Sequence, residues 1–100
     1  MTVQAQPEIT IKQREEYRES YANSVQIRIS VWDFLLEFGV ARPAVNGIEI
    51  DNFQGVFLSP QQAKALSLML QQNVNNYEQA FGEIKLDPQM APGFDPDLAN

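Results

Sequence analysis

Neither cysteine nor histidine occurs in the 100 residues. Without cysteine there is no disulfide framework and no thiolate to act as nucleophile or metal ligand. Without histidine the commonest general base and the commonest metal-binding side chain are gone as well. Ser20, Ser24, Ser30, Ser59 and Ser67 therefore have no imidazole to activate them, and Lys64 falls on the exposed side of a helix start. Glycine is sparse and scattered, with five residues and no phosphate-cradling loop among them. Basic residues are also few, seven against thirteen acids for a net charge of −6. Such a surface is repelled by phosphate backbones, and the aromatic residues are not interleaved with bases, so nucleic acid is not an expected partner. No apolar run approaches the roughly 18 residues that span a bilayer, and the N-terminus lacks a basic-then-apolar leader pattern. No membrane partner is expected, and the expected address is cytoplasmic.

What the sequence does contain is one segment whose start, period and stop agree. From Ser59 to Gly82, serine is placed to cap the first free amides, Pro60 sits where its missing N–H costs nothing, Gln62 completes a capping box, and Gly82 suits a left-handed terminus. At 100° per residue, Ala63, Leu66, Leu70, Val74, Tyr77 and Phe81 share one face. That stripe is expected to meet a sheet of the same chain, and Leu70→Asp to unfold it.

Before the helix the period is two. Val25, Ile27, Ile29 and Val31 alternate with Gln26, Arg28 and Ser30, as in a half-buried strand. The parity then flips, and Phe34, Leu36 and Phe38 become the regular apolar positions. A hairpin with an even number of loop residues, or a bulge, accounts for the flip. Centring the loop on Trp32 and Asp33 would set Ile29 against Leu36 and Arg28 against Glu37, although Trp32 is a poor residue for positive φ. Asn46-Gly47 marks the next turn, with a strand from about Ile48, a kink at Asp51-Asn52, and Gly55 as a bulge or a point of close approach. The expected fold class is α+β: an antiparallel meander of three or four strands followed by one long amphipathic helix packed on one face. Residues 1–20 are expected to form a partly disordered arm with a short edge strand at Ile9 and Ile11, residues 21–86 the single domain, and residues 87–100 a disordered, acidic, Pro-rich tail.

The carboxylate pairs Asp33 with Glu37 and Glu49 with Asp51 match acid/base or cation spacing. Alternation on a solvated strand produces the same spacing, and no further oxygen ligands cluster with them. No catalytic residue, metal or cofactor is expected. Two features point instead to association. Trp32, Leu35, Phe53 and Phe57 have parity opposite to the regular positions and exceed what one helix can cover. On the helix, Met69, Asn73, Asn76 and Ala80 form a flank in which amides replace the usual Glu and Lys. These eight residues are the candidate subunit interface.

Tyr21-Ala22-Asn23-Ser24-Val25, Asp33-Phe34 followed by Glu37-Phe38-Gly39, the helix start Leu58-Ser59-Pro60-Gln61-Gln62-Ala63-Lys64, and Asn73 through Tyr77-Glu78 to Phe81-Gly82 carry a resemblance. Over roughly residues 21–84 the chain resembles a small bacterial and archaeal family of unknown function, DUF family 3467. The family start often has His where this chain has Gln62. The resemblance implies strands followed by a helix and brings no reaction or ligand with it. By architecture alone the chain also resembles export chaperones of the SecB type. The expected role is a non-catalytic interaction or scaffold protein whose partner is itself, as a homodimer or larger, with another protein as a further partner. The alternative is a holdase binding unfolded clients through exposed apolar sheet surface.

Overall fold

The computed structural model describes residues 7–87. The first six residues of the expected arm, and residues 88–100 of the expected tail, lie outside the described residues. Three strands, β1 (Ser24–Ile29), β2 (Phe34–Ala44) and β3 (Gly47–Leu58), precede one helix, α1 (Pro60–Phe81). The strands form an antiparallel meander in the order β1-β2-β3. The expected strand at Ile9 and Ile11 does not form. Two apolar positions amid polar and charged neighbours find no strand to pair with, and residues 7–23 carry a single turn closed by the Tyr17 N–H to Arg14 C=O bond, 3.0 Å.

The first hairpin has the even loop that the parity flip demands, but the loop holds four residues rather than two. Ile29 pairs with Phe34 and Ile27 with Leu36, so the register expected for a Trp32-Asp33 centre is displaced by two. Ser30 explains the difference. Its backbone N–H donates to the Asp33 carbonyl at 2.9 Å, and its Oγ accepts from the N–H groups of Trp32 (3.1 Å) and Asp33 (3.2 Å). The hydroxyl satisfies amides that a tighter turn would have had to aim inward, so Trp32 never needs a positive φ.

In the second hairpin Ala44 pairs with Gly47, whose φ is 142°, and the turn dipeptide is Val45-Asn46. β2 thus runs through Arg42-Pro43, further than its sequence suggests. This is possible because β1 ends opposite Gly39, which leaves the outer edge of β2 without a neighbour that would need the missing proline N–H. In place of a further β1 residue, the Asn23 side chain continues the ladder. Its Oδ1 accepts from Ala41 N–H at 2.6 Å and its Nδ2 donates to Ala41 C=O at 3.2 Å.

A bulge separates the two halves of the β2–β3 ladder. Phe38 pairs with Gln54 and Gly39 with Asn52, leaving Phe53 as the extra residue on β3. Gly39 is buried there, and a Cβ on it would lie 2.8 Å from the Asp51 carbonyl oxygen. The bare backbone lets Asn52 reach across the central strand, where its Nδ2 donates to Gln26 Oε1 at 3.3 Å. Gly55 is not the bulge. It is the point of close approach, since a Cβ there would sit 3.4 Å from Leu35 Cδ1.

The helix starts as its sequence dictates. Ser59 (φ −62°, ψ 157°) accepts from Gln62 N–H through Oγ at 3.1 Å, Pro60 occupies the first turn, and Gly82 (φ 103°) donates to Glu78 C=O at 2.9 Å. Its relation to the sheet differs from expectation. No helix residue is buried, and only Pro60, Ala63, Leu66 and Glu78 are half-buried. The helix follows the sheet after a single residue, and on its apolar stripe only Ala63 and Leu66 of the first two turns are half-covered. The radius of gyration is 18.2 Å, against about 13 Å for a compact 100-residue domain.

Candidate functional site

Strand pairing sorts the side chains onto two faces, because directly opposed residues point the same way. Val25, Ile27 and Ile29 of β1, Phe34, Leu36 and Phe38 of β2, and Val56 and Leu58 of β3 share one face, with Gln54 as the ninth member. We call this the apolar face. Ser24, Gln26, Arg28, Leu35, Glu37, Gly39, Gly55 and Phe57 make up the other, mixed face. Past the bulge the sides of β3 exchange, so Ile48 and Ile50 fall on the mixed side while Glu49 and Asp51 fall beside Val40 and Arg42.

On the apolar face only Leu36, at 9% exposure, is buried. Val25, Ile27 and Ile29 are each more than half exposed, and so are Leu70, Tyr77 and Phe81 of the helix stripe, with Leu70 at 56%. Both surfaces read as the two halves of a core from their periodicity, yet within one chain they cover one another only where the helix begins. Leu70→Asp therefore does not strike a buried position of the single chain, contrary to the expectation that it would unfold it.

The eight candidate interface residues are not gathered into one patch. Leu35 and Phe57 are directly opposed on the mixed face, where Phe57 is 67% exposed. Trp32, 82% exposed, stands on the β1–β2 loop. Phe53 is carried by the bulge to the opposite side. There it joins Phe38, Val40 and Gln54 in the floor of an open groove of about 810 Å³, whose rim is the connector residues Glu16, Arg18, Ser20, Tyr21 and Ala22. Met69, Asn73, Asn76 and Ala80 are all exposed along the helix. Their amides are engaged locally: Asn73 Nδ2 donates to Met69 C=O at 2.8 Å, and Asn76 Oδ1 accepts from Gln72 Nε2 at 3.2 Å. The larger exposed surface consists of Val25, Ile27, Ile29 and the outer helix stripe. The period of the stripe is legible in the sequence, which predicts that the chain's own sheet covers it; the exposure of Leu70, Tyr77 and Phe81 differs from that.

Several of the charged groups on the sheet have local partners. Arg28 meets Glu37 Oε1 through both Nη2 and Nε at 2.9 Å, diagonally across β1 and β2, since its directly opposed residue is Leu35. Arg42 pairs with Asp51, and Asp33 Oδ1 accepts from Ser30 Oγ at 3.2 Å. In each acidic pair suggested by spacing, at least one carboxylate thus has a local partner. Among the described residues no group of three or more acidic side chains is placed to hold a metal ion. Tyr17 donates its phenolic hydrogen to Glu19 Oε2 at 2.8 Å, and this bond raises the phenol pKa above its ordinary value. No helix among the described residues is long and apolar enough to cross a membrane.

A protein-family profile matches residues 1–86. The chain belongs to the DUF3467 family, described as a protein of unknown function. The match takes in the N-terminal connector as well as the strands and helix, and is wider than the stretch in which the sequence motifs lie. No curated protein and no solved structure matches the chain. This DUF3467 member has the strand-then-helix order its motifs imply, and the family brings no reaction to it.

Proposed function

We propose that this DUF3467 protein works as a homodimeric interaction or scaffold module with no catalytic chemistry of its own. The observation that supports this reading is the near absence of a closed core in one chain. Leu36 is the only buried large apolar side chain among the described residues, while whole rows of Ile, Val, Leu, Tyr and Phe face water on the sheet and helix. Single soluble chains rarely expose contiguous apolar surface on this scale, and a small domain that cannot bury enough of its own surface gains stability by association. The residue inventory supports the non-catalytic part, since neither His nor Cys is available to act as base or nucleophile.

Sedimentation of the purified full chain tests the reading. A dimer or larger closed species at tens of micromolar is expected, and a folded monomer would remove the basis of the proposal. The same exposed surface also favours a holdase role as a second reading, in which the apolar face stays open to unfolded chains. Light scattering of a heat-aggregating client separates the two. A dimer that has covered its own apolar face leaves client aggregation unchanged, whereas a holdase suppresses it at near-stoichiometric ratios.

A further inference from the structure

We propose that the two copies exchange helices, so that the outer half of α1 from one chain lies on the apolar sheet face of the other, and reciprocally. The proposal rests on the homodimeric reading above and names the surfaces that carry it.

Four observations lead to it. First, both surfaces are open in the same chain: Val25, Ile27 and Ile29 on the sheet, and Leu70, Tyr77 and Phe81 on the helix, with Phe81 76% exposed. A sheet face and a helix stripe are the complementary halves of one packed layer. Second, most of the helix is uncovered by its own chain. Its 22 residues span about 33 Å, but it leaves Leu58 through Ser59 alone, and the half-buried stripe positions Ala63 and Leu66 belong to its first two turns. Beyond Leu66 every stripe side chain, Leu70, Val74, Tyr77 and Phe81, is exposed. Third, charge stands only at the margins of the two surfaces: on the apolar side of the sheet Arg42, Glu49 and Asp51 lie past the bulge, and Glu16 and Arg18 rim the groove. The apolar face has Gln54 as its one polar member, and the stripe has none, so two copies of net charge −6 meet where they repel least. Fourth, the area is sufficient. Taking roughly 150–250 Å² per aromatic side chain, and somewhat less per aliphatic one, the exposed stripe and sheet face hide on the order of 700 Å² per helix-on-sheet contact. Two contacts related by a dyad hide about 1,400 Å², within the range of stable specific interfaces.

The test uses the wild-type chain. Copies labelled at Ile and Val methyls are refolded together with unlabelled copies, and NOEs are collected only between labelled and unlabelled chains. The expected result is intermolecular NOEs from the Val25, Ile27 and Ile29 methyls to the ring protons of Tyr77 and Phe81. A dimer whose intermolecular NOEs run from the Val25, Ile27 and Ile29 methyls to the sheet methyls of the other chain, and not to its Tyr77 and Phe81 rings, would overturn helix exchange while leaving the homodimeric reading intact. A monomer by sedimentation would overturn both. The absence of native cysteine supplies a second measurement. Tyr77→Cys on one tagged chain and Ile27→Cys on another should be joined by a short bis-maleimide. The yield should be on the order of tenfold above that of Tyr77→Cys with Gln26→Cys, because residue 26 lies on the other side of the sheet. Equal yields for the two pairs would refute the exchange.

Discussion

Asn23 illustrates how a single side chain extends a sheet. With one amide it gives and takes a hydrogen bond at Ala41, doing for the edge of β2 what another strand residue would do with its backbone. Asn23→Ala leaves both Ala41 groups to water and should cost about 1–2 kcal/mol in urea denaturation at fixed chain concentration. Asn23→Asp should cost no less, because its second oxygen faces the Ala41 carbonyl rather than donating to it. Gly39 is constrained from the opposite direction. A methyl there meets the Asp51 carbonyl and the Asn52 side chain that crosses toward Gln26, so Gly39→Ala should destabilise by about 1–3 kcal/mol in the same assay. The exposed Arg28–Glu37 pair, despite its two contacts, should contribute no more than about 1 kcal/mol.

At the scale of elements, the helix is held at its ends by local chemistry, while its stripe beyond Leu66 stays exposed in the single chain. Ser59→Ala removes the acceptor for Gln62 N–H and should lower stability by about 1 kcal/mol, read by the same denaturation series. The helix ends were readable from the sequence because Ser-Pro and the terminal glycine act over three or four residues. The three strands were readable because alternation is local too. The hairpin register was not, since it turned on whether the Ser30 hydroxyl would close a four-residue loop, a choice invisible to periodicity. The expected register sets Arg28 directly against Glu37; in the structure the pair forms on the diagonal instead, within reach of long side chains. The bulge at Phe53 shows the same limit. The kink expected at Asp51-Asn52 falls beside it, but the bulge itself is at Phe53 rather than Gly55, and where Phe53 points depends on the pairing with β2. The excess of apolar side chains was legible in composition and parity, and the structure shows it as exposed rows on sheet and helix. What covers a stripe is not legible, because it reads the same whether its own sheet or another chain does.

For the whole molecule, a chain that completes its core by association has a stability tied to its concentration. The midpoint of thermal unfolding should rise as chain concentration is increased, and a concentration-independent midpoint would contradict the proposed dimer. Charge adds a second dependence. With −6 on each copy and an uncharged contact, association should strengthen as salt shortens the screening length from about 30 Å at 0.01 M to about 3 Å at 1 M, as sedimentation at the two ionic strengths would measure. The ribbon beyond β1 has a different consequence. There the outer rim of β2 is occupied by Asn23 at Ala41 and interrupted by Pro43, so a foreign strand finds few free amides to continue from. Replacing Pro43 with valine should restore a template for strand addition, visible as faster thioflavin-positive fibril growth. The proline thus acts as a guard against runaway stacking in a protein that displays so much of its grease.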